Sequence, residues 1–189
     1  MYSSSDLRKG LRIEIDGVPY IITDFHFNKP GKGQACYICK LKNLINGSTL
    51  SKRFRPNEKI AKPEIAEKKV RYSYNDGHFY VFLDENYNEL RISADELGDS
   101  RFFLVDDLEI TVMIHGGKPI DIELPTFVVN QVIETEPGIR GNTATNVLKP
   151  ATVVGGYVLQ VPLFINAGDV LKIDTRTGKY MDRVRIAGS

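Results

Sequence analysis

The sequence predicts an all-β chain of three small β-barrel domains in series, and three observations carry that prediction. Short runs of alternating apolar and polar residues recur along the chain, separated by tight-turn dipeptides such as Asp16-Gly17, Asn46-Gly47, Gly116-Gly117 and Gly155-Gly156. The helix-start signature Ser93-Ala94-Asp95-Glu96, a capping box, is closed almost at once by Gly98, so helix is a minor component. Prolines and a change of charge divide the 189 residues at Glu64 and Phe127. Residues 1–64 hold twelve Lys/Arg against six Asp/Glu, residues 65–127 six against thirteen, and residues 128–189 seven against five, so the net charge of +1 conceals a basic first module and an acidic second one.

In the first module, residues 11–15 and 18–22 flank Asp16-Gly17 as a β-hairpin. Residues 23–28 then interleave Phe25 and Phe27 with Asp24 and His26, the period-2 pattern of a half-buried strand. The chain turns within Lys29-Pro30-Gly31-Lys32-Gly33-Gln34-Ala35 and resumes through Tyr37, Ile38 and Cys39, which sets Lys32 at the tip of a hairpin. Pro30 fixes its own φ, while Gly31 and Gly33 on either side of Lys32 permit backbone angles that a Cβ opposes. Residues 48–54 add a strand after Asn46-Gly47, and the segment from Pro56 to Pro63 ends the module, which reads as an SH3-like barrel.

Residues 70–74 and 79–83 form a hairpin around Asn75-Asp76-Gly77, residues 87–92 add a strand before the capping box, and residues 109–115 and 118–124 make a third hairpin. A barrel of about five strands with one short helix between them is the OB-fold pattern. After Pro125, residues 127–134, 152–161 and 170–174, with turns at Pro137-Gly138, Gly155-Gly156 and Ala167-Gly168, give a further small barrel with Tyr157, Leu159, Val161 and Phe164 expected in its core. Modules this small bury little surface alone, so packing between neighbours is expected.

The charge pattern directs the first module towards a polyanion, with Lys29, Lys40, Lys42, Lys52, Arg53 and Arg55 near the hairpin in sequence. The acidic middle module is expected to act as a spacer and protein-contact surface. Little in the chain asks for catalysis. His26, His78 and His115 are scattered without partners at a catalytic spacing, the GxSxG, HExxH and GxGxxG patterns are absent, and Lys32 is followed by Gly33 and Gln34 rather than completing a P-loop. Cys36 and Cys39 point to opposite faces of a strand, and even with His26 they leave a zinc site one ligand short; free thiols and no metal are expected. There is no long apolar run and no leader pattern, so a cytoplasmic protein with no membrane partner is expected.

The KPGKGQA hairpin, the YNDG turn at Tyr74 to Gly77, the PGIRGNTAT loop at Pro137 to Thr145, the KPA step at Lys149 to Ala151 and the long run VPLFINAGDVLKIDTRTGKYMDR from Val161 to Arg183 together resemble the bacterial translation elongation factor P family. The resemblance spans all three modules in order. It implies a KOW-type SH3-like domain over residues 1–64 and two OB domains over 65–127 and 128–189, arranged as an L-shaped, tRNA-like monomer. It also implies binding to the 70S ribosome between the P and E tRNA sites, relief of stalling at consecutive prolines, and approach of Lys32 to the CCA end of P-site tRNA. Many members carry a covalent extension such as a β-lysyl group on that lysine, added by separate modifying enzymes; no other cofactor is implied.

Carried over residue by residue, Gly141-Asn142-Thr143 stands where the family usually has Gly-Asp-Thr beside the E-site messenger RNA codon. Asn142 keeps an acceptor and adds an amide donor while removing a charge. Tyr180 and Arg183 match the family's terminal Tyr-x-x-Arg, on the small-subunit side, and the remaining ribosomal RNA contacts fall to the basic residues of the first module. Two other readings stay open at this level. A paralogous subfamily shares the domains, but its loop commonly departs from PGKG. A generic RNA-binding OB/SH3 module requires stacking positions and basic charge on an OB face, whereas the middle module is acidic.

Overall fold

The computed structural model describes residues 1–138 and 147–185. It divides into two compact units, residues 1–66 and 67–189. In the first, β1 (Tyr2–Ser3), β2 (Arg12–Ile15), β3 (Val18–Asn28), β4 (Cys36–Asn43), β5 (Thr49–Phe54) and β6 (Lys59–Ile60) follow in order. Strands β2 to β5 form a 4-stranded antiparallel meander, and β1 pairs with β6. A bridge from Glu14 to Ala61, whose carbonyl accepts the Glu14 N–H at 2.9 Å, ties β2 to the end of the unit. The core is Leu7, Leu11, Ile13, Ile22, Cys39, Leu41, Phe54 and Ile60. Each large apolar side chain buried there contributes ~1.5–3 kcal/mol relative to exposure.

Residues 18–22 and 23–28, two runs in the sequence, are one strand of 11 residues. The register slips between Ile22 and Asp24, so Thr23 is the extra residue of a β-bulge. Without the bulge, strict alternation would send Ile22 and Phe25 to opposite faces. With it, Tyr20, Ile22, Phe25 and Phe27 stand opposite Asn43, Leu41, Cys39 and Tyr37, alternate residues of β4 that share one face. The long strand therefore keeps its apolar face on the core and carries the lysine hairpin out from it.

The second unit begins with β7 (Ala66–Asn75), β8 (Phe79–Leu83), β9 (Glu89–Ser93), α1 (Ala94–Leu97), β10 (Glu109–His115) and β11 (Lys118–Glu123), forming a 5-stranded sheet in the order β11-β10-β7-β8-β9. The capping box is present: Ser93 Oγ accepts the Glu96 N–H at 3.2 Å, the Glu96 carboxylate accepts the Ser93 N–H at 2.9 Å, and Gly98 ends the helix. The β8–β9 connection is built on Asp84, whose carboxylate accepts the N–H groups of Asn86 and Asn88 at 2.8 and 2.9 Å and pairs with Lys68 at 2.9 Å. The Lys68 ammonium, followed by these N–H donors, holds this carboxyl well below the usual carboxylate range.

A second 5-stranded sheet, in the order β14-β13-β12-β15-β16, contains β12 (Phe127–Thr135), β13 (Leu148–Val153), β14 (Val158–Pro162), β15 (Val170–Asp174) and β16 (Lys179–Val184). Residues 152–161 thus belong to two strands hinged at Gly155-Gly156, and β16 lies beyond the last strand read from the sequence. Leu159 and Val161 are core, and Tyr157 packs against it. Phe164 is not core: it is 56% exposed under the Arg183 guanidinium, because the turn after β14 points its neighbour Ile165 inwards instead.

The two sheets of this unit share apolar contacts. Phe103 lies in the core of the second sheet with its ring centroid 4.4 Å from that of Tyr157, and Leu108 and Leu124 pack against both cores. Among the described residues no helix is long and apolar enough to cross a membrane.

Candidate nucleic-acid interface

Strands β3 and β4 pair as far as Asn28 and Cys36, and the loop they leave, residues 29–35, carries Lys29, Pro30, Gly31, Lys32 and Gly33, all exposed. Among the described residues no hydrogen bond or ion pair is formed by the Lys32 ammonium, which stands exposed beyond the last pair of the β3–β4 stem. The two glycines differ. Gly33 has φ +122°, a region that side-chain-bearing residues rarely adopt, whereas Gly31 has no positive φ and open space where a Cβ would stand. The expectation that both glycines serve unusual backbone angles therefore holds for Gly33 alone.

The basic residues near the hairpin in sequence divide between two faces. Lys40 and Lys42 on β4 and Arg53 on β5 alternate outwards and are exposed, with Lys40 opposite Asp24 and its ammonium 3.9 Å from that carboxylate. Arg55 is exposed just past the end of β5, where its N–H donates to Glu58 at 2.7 Å. Lys52 points the other way, with its ammonium 5.5 Å from the centroid of the Phe54 ring. Cys36 and Cys39 are free thiols, and burial pushes the Cys39 thiol above its ordinary value. Among the described residues no group of three or more His, Cys, Asp or Glu is placed to hold a metal ion.

In the C-terminal sheet, Gly141, Asn142 and Thr143 lie outside the described residues. The strands on either side are held together by Lys149, a buried lysine whose ammonium donates to the Glu136 carbonyl, and by Thr135, whose hydroxyl donates to the Pro150 carbonyl at 2.9 Å. Sequence reasoning missed the burial of Lys149, since a lysine between a leucine and a proline carries no burial signal. Tyr180 is half-buried against the core, which raises its phenol pKa through desolvation. Arg183 is surface-exposed, stacked at 5.2 Å on Phe164 and 3.7 Å from the Asp169 carboxylate. Tyr180 and Arg183 lie on the same edge strand, β16.

Three family models match the chain in succession: the Elongation factor P (EF-P) KOW-like domain over residues 3–60, the Elongation factor P (EF-P) OB domain over 65–122, and Elongation factor P, C-terminal, over 128–183. Elongation factor P of Desulfotalea psychrophila is 49% identical over 186 residues, covering 98% of this chain and 100% of the relative. That of Caldanaerobacter subterraneus subsp. tengcongensis is 45% identical over 185 residues, covering 97% and 100%. Among solved structures, eukaryotic translation initiation factor 5A from Methanococcus jannaschii is similar over 64% of this chain and 94% of that one, at 22% identity and a TM-score of 0.49. The three family models and the curated relatives define a translation elongation factor. The chain belongs to the elongation factor P family.

Proposed function

We propose that this protein binds the 70S ribosome between the P and E tRNA sites and promotes peptide-bond formation at consecutive prolines by positioning P-site peptidyl-tRNA through Lys32. The observation that carries the reading is the exposed lysine at the end of the β3–β4 hairpin, on the basic module of a family member. Proline's ring locks φ and restricts the nascent chain, which hinders its alignment for attack. Correct orientation of reacting groups is worth up to about 7–11 kcal/mol, so a factor that restores part of it accelerates the step without supplying an acid or a base. The ribosome remains the catalyst, and the protein is not itself an enzyme.

On this reading Lys32 reaches the CCA end of P-site tRNA, Lys29 lies beside it on RNA phosphates, and Lys40, Lys42, Arg53 and Arg55 lie against ribosomal RNA phosphates. Gly141, Asn142 and Thr143 face the E-site messenger RNA codon, and Tyr180 and Arg183 the small subunit. A covalent extension on Lys32, such as a β-lysyl group added by separate modifying enzymes, lengthens its reach. The protein works as a cytoplasmic monomer.

The test is translation of a reporter with three consecutive prolines beside one with none. Lys32→Ala is expected to lose rescue of the proline reporter while stability stays within about 0.5 kcal/mol of the unsubstituted protein, as for an exposed residue with no packing role. Lys32→Arg keeps the charge but changes its shape and removes the amine used for modification, so it is expected to fail as well. Full rescue by Lys32→Ala would sink the assignment. Tight binding to free single-stranded RNA with no preference for ribosomes would favour a generic RNA-binding module.

A further inference from the structure

The stem of the lysine hairpin carries a row of rings on its core-side face. Phe27 of β3 lies directly opposite Tyr37 of β4, with ring centroids 4.8 Å apart and planes tilted by 44°. Phe25 stacks on the same Tyr37 at 5.8 Å and 23°. Tyr37 in turn faces Phe54 of β5, over whose ring the Lys52 ammonium sits at 5.5 Å. Burial falls along the row towards the tip: Phe54 is buried, Phe25 and Tyr37 are half-buried, and Phe27 is 44% exposed.

Core packing explains Phe54, Phe25 and Tyr37, which belong to or pack against the core of this unit, but Phe27 lies beyond it. An open phenylalanine ring two residues before Lys29 and five before Lys32 combines the elements that single-stranded nucleic acids require: a π-face on which a base stacks and cations for the flanking phosphates. The contact with Tyr37 restricts the Phe27 ring before any ligand arrives, which lowers the ordering cost of binding. We propose that Phe27, backed by Tyr37, is the stacking platform for an unpaired base of the CCA end of P-site tRNA, with Lys29 and Lys32 on the adjoining phosphates. The proposal rests on the ribosomal reading above and adds the group that holds the nucleoside. Stacking tolerates any base, so recognition comes from the end being unpaired and within reach of the tip.

The test uses the full-length protein, Phe27→Leu and Phe27→Trp, with ribosomes whose P-site peptidyl-tRNA carries the fluorescent base pyrrolocytidine at a cytidine of the CCA end. Leucine keeps an apolar contact with Tyr37 but removes the π-face, whereas tryptophan retains it. The expected result is quenching on addition of the unsubstituted protein and of Phe27→Trp. Phe27→Leu is expected to show no quenching and about 10-fold weaker ribosome binding at an unchanged melting temperature. Quenching by Phe27→Leu equal to that of the unsubstituted protein would overturn the proposal. So would a lower melting temperature in Phe27→Leu with quenching intact, the mark of a ring that only stiffens the stem. If the unsubstituted protein accelerates synthesis through three prolines without quenching, the platform fails and the ribosomal reading stands; if it neither accelerates nor quenches, both fail.

Discussion

Gly33 shows how much of the tip rests on a single residue. Its φ of +122° is strained for any residue with a Cβ, and a Cβ there would lie 3.4 Å from the Pro30 ring. Gly33→Ala should therefore force the loop to rearrange, costing about 1 kcal/mol and lowering rescue of a three-proline reporter several-fold. Gly31→Ala, with no positive φ to oppose it and open space around it, should stay within about 0.5 kcal/mol and keep most of the activity. Urea denaturation and the reporter assay on both variants check this; equal effects at the two positions would contradict it. The sequence makes both glycines look alike, because it shows which residues permit a left-handed angle and not which one adopts it.

The decisive element is β3. Its alternation reads as two runs because the parity of the apolar positions changes after Ile22, and the bulge at Thr23 reconciles both with one face. Removing Thr23 should convert the bulge into regular pairing in which Ile22 and Phe25, then two positions apart, stay on the same face by strict alternation, with Phe27 still opposite Tyr37. The expected outcome is that the cooperative unfolding transition of residues 1–66 is retained alongside that of residues 67–189, read by calorimetry of the full chain. Loss of the transition of residues 1–66 on deleting Thr23 would show that the fold needs the bulge itself and not only the shared apolar face. The same alternation explains the basic residues: Lys52 and Arg53 are neighbours in sequence and therefore stand on opposite faces, so a cluster along the chain is not a cluster on the surface.

Across the whole molecule, the chain resolves into two compact units, and the second contains two sheets that share side chains. Gly155 sits at the contact between them with φ +96°, and a Cβ there would come within 2.5 Å of the Phe102 carbonyl oxygen. Phe103 follows directly into the core of the second sheet. Gly155→Ala should lower the stability of residues 67–189 by about 2 kcal/mol through backbone strain and overlap, leaving the transition of residues 1–66 in place. Hydrogen exchange should show protection falling in β8 and β13 together. Loss of protection confined to β13 would mean that the two sheets open independently.

The strands, the turn dipeptides, the capping box at Ser93 and the lysine tip were legible in the sequence because each is decided locally, by the period of side chains along a strand or by the backbone freedom of a few residues. The family, too, was legible, since long motifs such as Val161 to Arg183 stand in the chain unbroken. Tertiary structure alone decided that Phe164 faces outwards while Ile165 fills the core, that Lys149 is buried beneath the Glu136 carbonyl, and that Phe103 crosses into the neighbouring sheet. It also decided that Phe27 stands open beside the tip while Phe54 is buried in the same row. The physical reason is the same in each case: which surface a side chain meets depends on register and packing between segments far apart in the chain, and those are set only when the sheets assemble.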